Sequence, residues 1–318
     1  MSFGAIMNLG QTTLELGLLY GIMVLALFLS YSMLNVCDLS TDGCFTLGAC
    51  VGAVVALSGH PVLSIPAAMA AGIISGFVTS VLQTRMGIDS LLSGIIVNTG
   101  LYSINIAVMS GASLLNMNKT TTIFTMLNQL LKGTPLAGKE TLLISLLAAV
   151  LVIGFLTLFL KTKLGLAIRA TGNNPDMVRS SSINPIFTTT VGLCVANAFT
   201  ALSGCLVGQA QKSVDVNIGT GVVTIALASL LIGGAIIGKG GIMVKAAGVV
   251  LGSIIFRLVY MVALRFHMPA YMLKLVSSVI VIFAIFVPYI SKNRSGISRR
   301  VRYKKAIASE KPTEGGEE

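Results

Sequence analysis

The sequence predicts an all-α polytopic membrane protein of about nine spanning helices, with its N-terminus outside and its C-terminus in the cytoplasm. Three observations predict it. Several uninterrupted apolar runs reach about 20 residues, the length of a helix that crosses a bilayer. Only 10% of the 318 residues are charged, against about a quarter in soluble domains. The Lys and Arg residues crowd into alternate loops, as the positive-inside bias requires. The apolar runs also lack the two-residue alternation of membrane strands, which excludes a barrel.

Taken in order, the first span runs from about Leu16 to Val36. The polar stretch Cys37–Gly43, CDLSTDG, interrupts the apolar pattern, and a short second span rich in small residues follows, Cys44–Ser58. The turn residues His60 and Pro61 lead into the third span, about Val62–Leu82. The loop Thr84–Asp89 leads into the fourth, about Ser90–Ser110. Gly111–Lys139 is mixed in character, and within it Ile123–Leu131 reads as an amphipathic helix on the membrane surface. The fifth span, Thr141–Leu160, ends at a long basic stretch, Lys161–Pro185, KTKLGLAIRATGNNPDMVRSSSINP. Four more spans are expected at Ile186–Ala210, Gly221–Ile237, Ala246–Phe266 and Leu273–Ile290. Residues 1–290 therefore read as a transmembrane domain. Residues 291–318 read as a cytoplasmic tail, basic and then acidic, with a disordered end.

The net charge of +11 is carried by loops and tail, not by a soluble module, so nucleic acid is not an expected partner. The basic stretch fixes the orientation. If it lies inside, so do Arg85, Lys239, Lys245 and the basic tail, while Lys119, Lys132, Lys139 and Lys212 lie outside. The first fifteen residues contain no Lys or Arg, so no signal-peptide n-region is visible. Gly48/Gly52, Gly72/Gly76 and Gly248/Gly252 are each G-x-x-x-G, the spacing that lets membrane helices approach closely.

Catalysis is not expected. The acids are scattered, H-E-x-x-H and G-x-S-x-G are absent, and the five cysteines include no C-x-x-C pair and read as small packing residues. The two histidines, His60 and His267, lie far apart, which disfavours a metal site. Gly233 to Gly240 nearly matches a phosphate loop. Gly240 replaces the hydroxyl residue that would hold Mg²⁺, and the motif ends an apolar span, so it reads as a helix terminus with Lys239 at the cytoplasmic face.

Residues suited to a solute pathway are few. Asp38 and Ser40 lie in the break after the first span. That break is either a plain cytoplasmic turn, with Asp38 or Asp42 capping the next helix, or an irregular segment at membrane depth, buried in protein or lining a wet cavity. Asn98, Tyr102 and Asn105 share one helical face, and Asn197 and Thr200 another. Each set suits either a pathway or interhelical hydrogen bonds. Arg257 falls mid-span, where an arginine costs roughly 2.5–3.5 kcal/mol or more. It either faces the bundle interior, an acid or an anionic solute, or snorkels to the outer interface.

The basic stretch resembles the cytoplasmic coupling segment of ABC-importer permeases of the branched-chain amino acid and ribose family. The residues that carry the likeness are Leu164-Gly165, Arg169-Ala170, Gly172, Asn174-Pro175, Val178-Arg179 and Ser182-Ile183, with Ser182 standing where glycine is usual. The likeness extends to the first span and its Asp-Leu-Ser break, and to the glycine pattern from Gly233-Gly234 to Gly252. It implies a type II ABC importer transmembrane fold with inverted-repeat helices in the bacterial plasma (inner) membrane. The implied partners are a second permease copy or homologue, an extracytoplasmic substrate-binding protein and a cytoplasmic ABC ATPase. That ATPase would hold the ATP and Mg²⁺; this chain would bind no cofactor. Many family members carry one more helix before the first, and its absence here agrees with an N-terminus outside.

The resemblance further implies a short coupling helix at about Asn174–Ser181. Asn173 or Asn174 would cap it, and Arg169, Gly172, Pro175 and Arg179 would belong to the surface that meets the ATPase. It leaves amino acids, sugars and nucleosides open as cargo. A cation at Arg257, where the family more often has neutral or acidic polar residues, points to a carboxylate-bearing solute such as an amino acid. An ATP-independent secondary transporter or channel is the competing reading, and the scarcity of intramembrane acids counts against it.

Overall fold

The computed structural model describes residues 3–131, 138–237 and 240–265, together with 275, 277–283 and 286. The tail, 291–318, and most of the expected span Leu273–Ile290 lie outside the described residues.

Up to Arg265 the described residues form eleven helices and one short ribbon. Helix α1, Phe3–Leu27, continues as a π-helical turn over Phe28–Met33. Then come α2 (Thr41–Leu57), α3 (Ser64–Thr84), α4 (Ser90–Val108) and strand β1 (Leu114–Asn116). After α5 (Ile123–Leu131) and α6 (Glu140–Lys161), the basic stretch folds into α7 (Lys163–Asn173) and α8 (Pro175–Ser180). Then come α9 (Pro185–Gln211), β2 (Ser213–Asp215), α10 (Val222–Ile236) and α11 (Ile242–Arg265), and residues 277–283 are again helical. β1 and β2 pair antiparallel, Leu115 opposite Val214. The ribbon marks one end of the bundle, here the ribbon end. α7 and α8 mark the other, the basic end.

Among the described residues six helices are long and apolar enough to cross a membrane, and α2 and α10 are shorter apolar helices. The lengths have a geometric cause. α9, with 27 residues, is about 40 Å long. α2 and α10, with 17 and 15 residues, reach only about 25 and 22 Å, short of a hydrocarbon core of about 30 Å. Neither starts at an end of the bundle. The chain leaves α1 at the basic end, folds back beside the middle of α9, and only then begins α2, which climbs to the ribbon end. It leaves α9 at the ribbon end, folds back inward, and only then begins α10, which descends to the basic end. The two halves thus repeat one broken-helix device in opposite senses.

α1 and α9 run antiparallel through the core and are the most buried of the long helices. Leu19, Ile22, Met23, Leu25 and Leu29 of α1 are fully enclosed, with Phe45 of α2 among them. α9 acts as a rail of small residues. A side chain at Gly204 would strike the Phe45 carbonyl, one at Gly48 the Ala201 carbonyl, and one at Gly72 the Asn197 carbonyl. Gly76 approaches Leu193 and Gly252 approaches Ser229 in the same way, so each G-x-x-x-G pair sits where two helices touch. Lipid tails are as apolar as the side chains, so such backbone contact is what membrane helices have to gain. α5 is amphipathic: Phe124 is buried and Gln129 exposed, and its first amide donates to Gln209 Oε1 of α9 at 3.1 Å.

Gly204 and Gly154 make a controlled comparison. Both are helical, and a Cβ at Gly154 meets nothing within 4 Å. Gly154→Ala should hold or raise stability by up to about 1 kcal/mol, whereas Gly204→Ala should lower it by about 1–3 kcal/mol. Thermal denaturation in detergent, followed by circular dichroism, measures both; equal melting points would refute the rail.

Candidate functional site

The fold-back between α1 and α2 is buried in protein at the depth of mid-helix. Asp38 is 2% exposed. Its Oδ1 accepts from the Ser40 amide at 2.8 Å and from Ser40 Oγ at 2.6 Å, and its Oδ2 accepts from Asn197 Nδ2 at 2.9 Å. Asn197 is near the centre of α9. Thr41 Oγ1 donates to the Asp38 carbonyl at 2.7 Å, and Thr79 Oγ1 of α3 donates to Ser40 Oγ at 3.2 Å. Irregular backbone away from water needs such partners, and here three helices supply them. A plain surface turn is ruled out. Asp38, Ser40 and Asn197 come together in this network and not around either cavity described below. Thr200, on the same face as Asn197, bonds back to the Ala196 carbonyl.

Asp42 does not cap the helix that contains it. Its carboxylate reaches α10 in the other half of the chain, accepting from the Gly221 amide at 2.8 Å and the Val223 amide at 2.8 Å. Gly221, the N-cap of α10, sits at φ +83° and has no side chain to cap with. The first amides of a helix have no internal partner, and a carboxylate is the best external one. Thr46 adds a second tie, its Oγ1 accepting from the Gly219 amide at 3.2 Å. The first turns of the two short helices therefore meet inside the bundle.

Two cavities flank this junction, and Thr220 lines both. One, of about 430 Å³, is lined by Asn98, Tyr102 and Asn105 with Asp42, Gly43 and Thr46. The polar face expected on α4 is thus brought together around a single space. Asn105 is buried, its Nδ2 donates to the Gly43 carbonyl at 3.2 Å, and its Oδ1 has no partner. The other cavity, of about 400 Å³, is lined by Tyr20, Thr220, Thr224, Arg257, Tyr260 and Ser277 among others. Arg257 is 7% exposed, so it faces inward and does not snorkel. Its guanidinium lies over the Tyr20 ring, 3.6 Å from the centroid, and 5.4 Å from that of Tyr260.

At the basic end, α7 and α8 form two amphipathic pieces where the sequence suggested one loop with a short helix. Ile168, Thr171 and Val178 are buried, and Thr171 Oγ1 shares a 2.8 Å hydrogen bond with Thr188 Oγ1 of α9. Asn174, not Asn173, is the cap: its side chain accepts from the Asp176 and Met177 amides, both at 3.1 Å. Asn173 ends α7 instead. Pro175 occupies the first helical position, where its missing N–H is no loss. Asn173, Asn174, Pro175 and Arg179 are exposed, Met177 is 67% exposed, and Arg169 and Gly172 are half-buried. Gly172 abuts the end of α1, where a Cβ would strike the Met33 carbonyl. Ser182 adopts φ +61°, which explains why glycine is the usual residue there.

Sequence reasoning missed Asp42 as a link between halves, and missed Tyr20 and Thr220. The signal for the first was present but unreadable alone: Gly219-Thr220-Gly221 is a helix start without a capping side chain, and Asp42 is an acid without a local use.

Comparison with known proteins places these features in context. The family model described as "Branched-chain amino acid transport system / permease component" matches residues 11–285. A protein of Clostridioides difficile (strain R20291) named as a tyrosine transport system permease protein is 32% identical over 267 residues, 83% of this chain and 86% of that one. An uncharacterized protein of Rickettsia prowazekii (strain Madrid E) is 32% identical over 231 residues, 71% of this chain and 77% of that one. No solved structure matches.

Asp42→Ala leaves two amides of α10 without their acceptor, and should cost about 2–3 kcal/mol. Hydrogen exchange in detergent reads it locally. The Gly221 and Val223 amides should lose protection more than those of α6, and uniform loss across the bundle would argue against a specific clasp.

Proposed function

This chain belongs to the family of permease components of branched-chain amino acid transport systems, and we propose that it is the membrane subunit of an ATP-driven importer. It forms the solute path through a bacterial plasma membrane, with the basic end in the cytoplasm. The cargo is an amino acid or a similar small polar solute. The relative named for tyrosine transport supports that class, as does a cationic side chain in a polar cavity.

The observation that carries the reading is the α7–α8 segment. Ile168, Thr171 and Val178 turn inward to anchor it, while its outer face is exposed and carries Lys163 and Arg179 beside apolar Leu166 and Met177. A surface built this way suits docking to a separate protein. In this reading a cytoplasmic ATPase, holding ATP and Mg²⁺, receives α8 in a groove, and Arg169 and Arg179 meet its acids. A second permease copy or homologue completes the path, and an extracytoplasmic binding protein delivers solute at the ribbon end.

Transmission follows the chain. Gly172 touches Met33 and Leu34, the residues just before the fold-back. The fold-back carries Asp38, which holds Asn197 of α9, and leads within four residues to Asp42, which holds α10. α10 opens with Val222, and its first turns line the Arg257 cavity. Closure of the ATPases would shift α7 and α8, and this path would carry the shift to the solute cavity.

The test is reconstitution with the ATPase and binding protein of the same transport system. Arg169→Glu with Arg179→Glu should lower solute-stimulated ATP hydrolysis and uptake by about 10-fold or more, with the melting point of the purified chain unchanged. Pro175→Ala should act in the same direction, more weakly. Undiminished uptake in the charge-reversed variant would falsify the coupling role.

A further inference from the structure

We infer that the cavity under Arg257 is the solute site, and that Arg257 binds the carboxylate of an amino-acid solute there. The inference rests on the importer reading and adds to it a site, a ligand chemistry and a role for one residue.

Three observations carry it. The first is an electrostatic imbalance. Arg257 is nine-tenths buried, its Nε is buried without a hydrogen-bond partner, and among the described residues none that lines the cavity is Asp or Glu. Asp42, at the junction beside the cavity, already spends both oxygens on the Gly221 and Val223 amides. A buried cation without an anion is costly, and a solute carboxylate removes that cost on arrival.

The second is orientation. The Tyr20 ring covers one face of the guanidinium at 3.6 Å. Stacking of this kind holds the plane while leaving the N–H edge for an acceptor. A planar carboxylate matches that edge with two parallel hydrogen bonds. Tyr20 is itself fixed, because its ring stacks on Phe45 of α2 at 5.6 Å and both residues are buried.

The third is the remaining wall. Thr220 and Thr224 of the α10 entrance and Tyr260 of α11 also line the space. Their oxygens accept hydrogen bonds, as the ammonium of a zwitterion requires. A volume of about 400 Å³ lies within the usual range for small-solute pockets. A phosphate dianion fits less well: among the described residues one arginine supplies the positive charge on the lining, and the hydroxyls are better used as acceptors from an ammonium. A sugar would leave the arginine unpaired.

The experiment compares acids with their amides in proteoliposomes containing the full transporter. Each of the twenty L-amino acids, L-tyrosine first, is assayed for stimulation of ATP hydrolysis, with D-ribose and inorganic phosphate as controls. For the stimulating amino acid, the amide should need an about 10- to 100-fold higher concentration for half-effect on the natural protein. Arg257→Gln should raise the half-saturating concentration of the acid by a similar factor and leave that of the amide almost unmoved. The acid-versus-amide comparison needs no variant, so it decides even if Arg257→Gln fails to fold. An amide as potent as its acid overturns the inference, as does a transported solute lacking a carboxylate; either leaves the importer reading standing. If nothing stimulates hydrolysis, the importer reading fails. Binding of radiolabelled L-amino acids to the chain alone in nanodiscs then judges the site, and absence of saturable binding overturns it.

Discussion

The bundle depends on one clasp, the Asp42 carboxylate on the first turn of α10. A helix that begins inside a membrane exposes amides that neither lipid nor its own backbone can satisfy. This fold has two such helices, and it places their first turns against each other. For α10 the acceptor comes from α2, through Asp42 and Thr46. For α2 the preceding turn is gathered by Asp38 and tied to Asn197. Without these contacts the fold-backs would have to move to the membrane faces. α2 and α10 would then be too short to reach across. The glycine rail on α9 serves the same end, because only close backbone approach brings Asn197 to Asp38 and Phe45 to Gly204.

Much of this was legible in the sequence, and the parts that were not share a cause. Apolar runs gave the helices, because length and composition alone decide whether a segment can lie in lipid. The G-x-x-x-G pairs gave the contact faces, and Asn174-Pro175 gave the start of α8, because capping is local. The depth of the 35–40 segment was open, because the same residues suit a surface turn or a buried one; what decides is Asn197, about 160 positions away in the chain. Asp42 could not be matched to Gly221 for the same reason. The stretch 161–185 read as a loop because charged and polar residues interrupt its short apolar runs. Once the segment lies against α9, Ile168, Thr171 and Val178 all turn inward and the helical period appears.

Arg257 shows the same division. Its burial cost made it conspicuous, yet whether it snorkels depends on where α11 lies relative to α1. Gly17 and Gly21 settle this. Side chains there would press on Ile254 and Val250, so α1 and α11 close on each other along that length. Tyr20, between the two glycines, then covers the guanidinium. The residue that explains Arg257 is thus on α1, and its position follows from two glycines that look like ordinary packing residues in the sequence.

α1 therefore occupies an unusual place. Its end at Met33 bears on Gly172 of the basic segment, and its middle, at Tyr20, bears on Arg257. Between these points α1 is close-packed, with Met23, Leu25 and Leu29 fully enclosed. Close-packed interiors transmit displacement and do not absorb it. The π-helical turn at Phe28–Met33 includes the Met33 contact, and such turns recur at functional sites. In the proposed importer this gives two routes from the ATPase surface to the solute. One passes through the fold-back, Asp42 and α10, and the other along α1 to Tyr20. Both arrive at the same cavity, one at the start of α10 and the other at Tyr20. A movement of α7 and α8 carried along both routes would reach the Arg257 site at α10 and at Tyr20 together, and coupled displacement of a solute site is what alternating access requires.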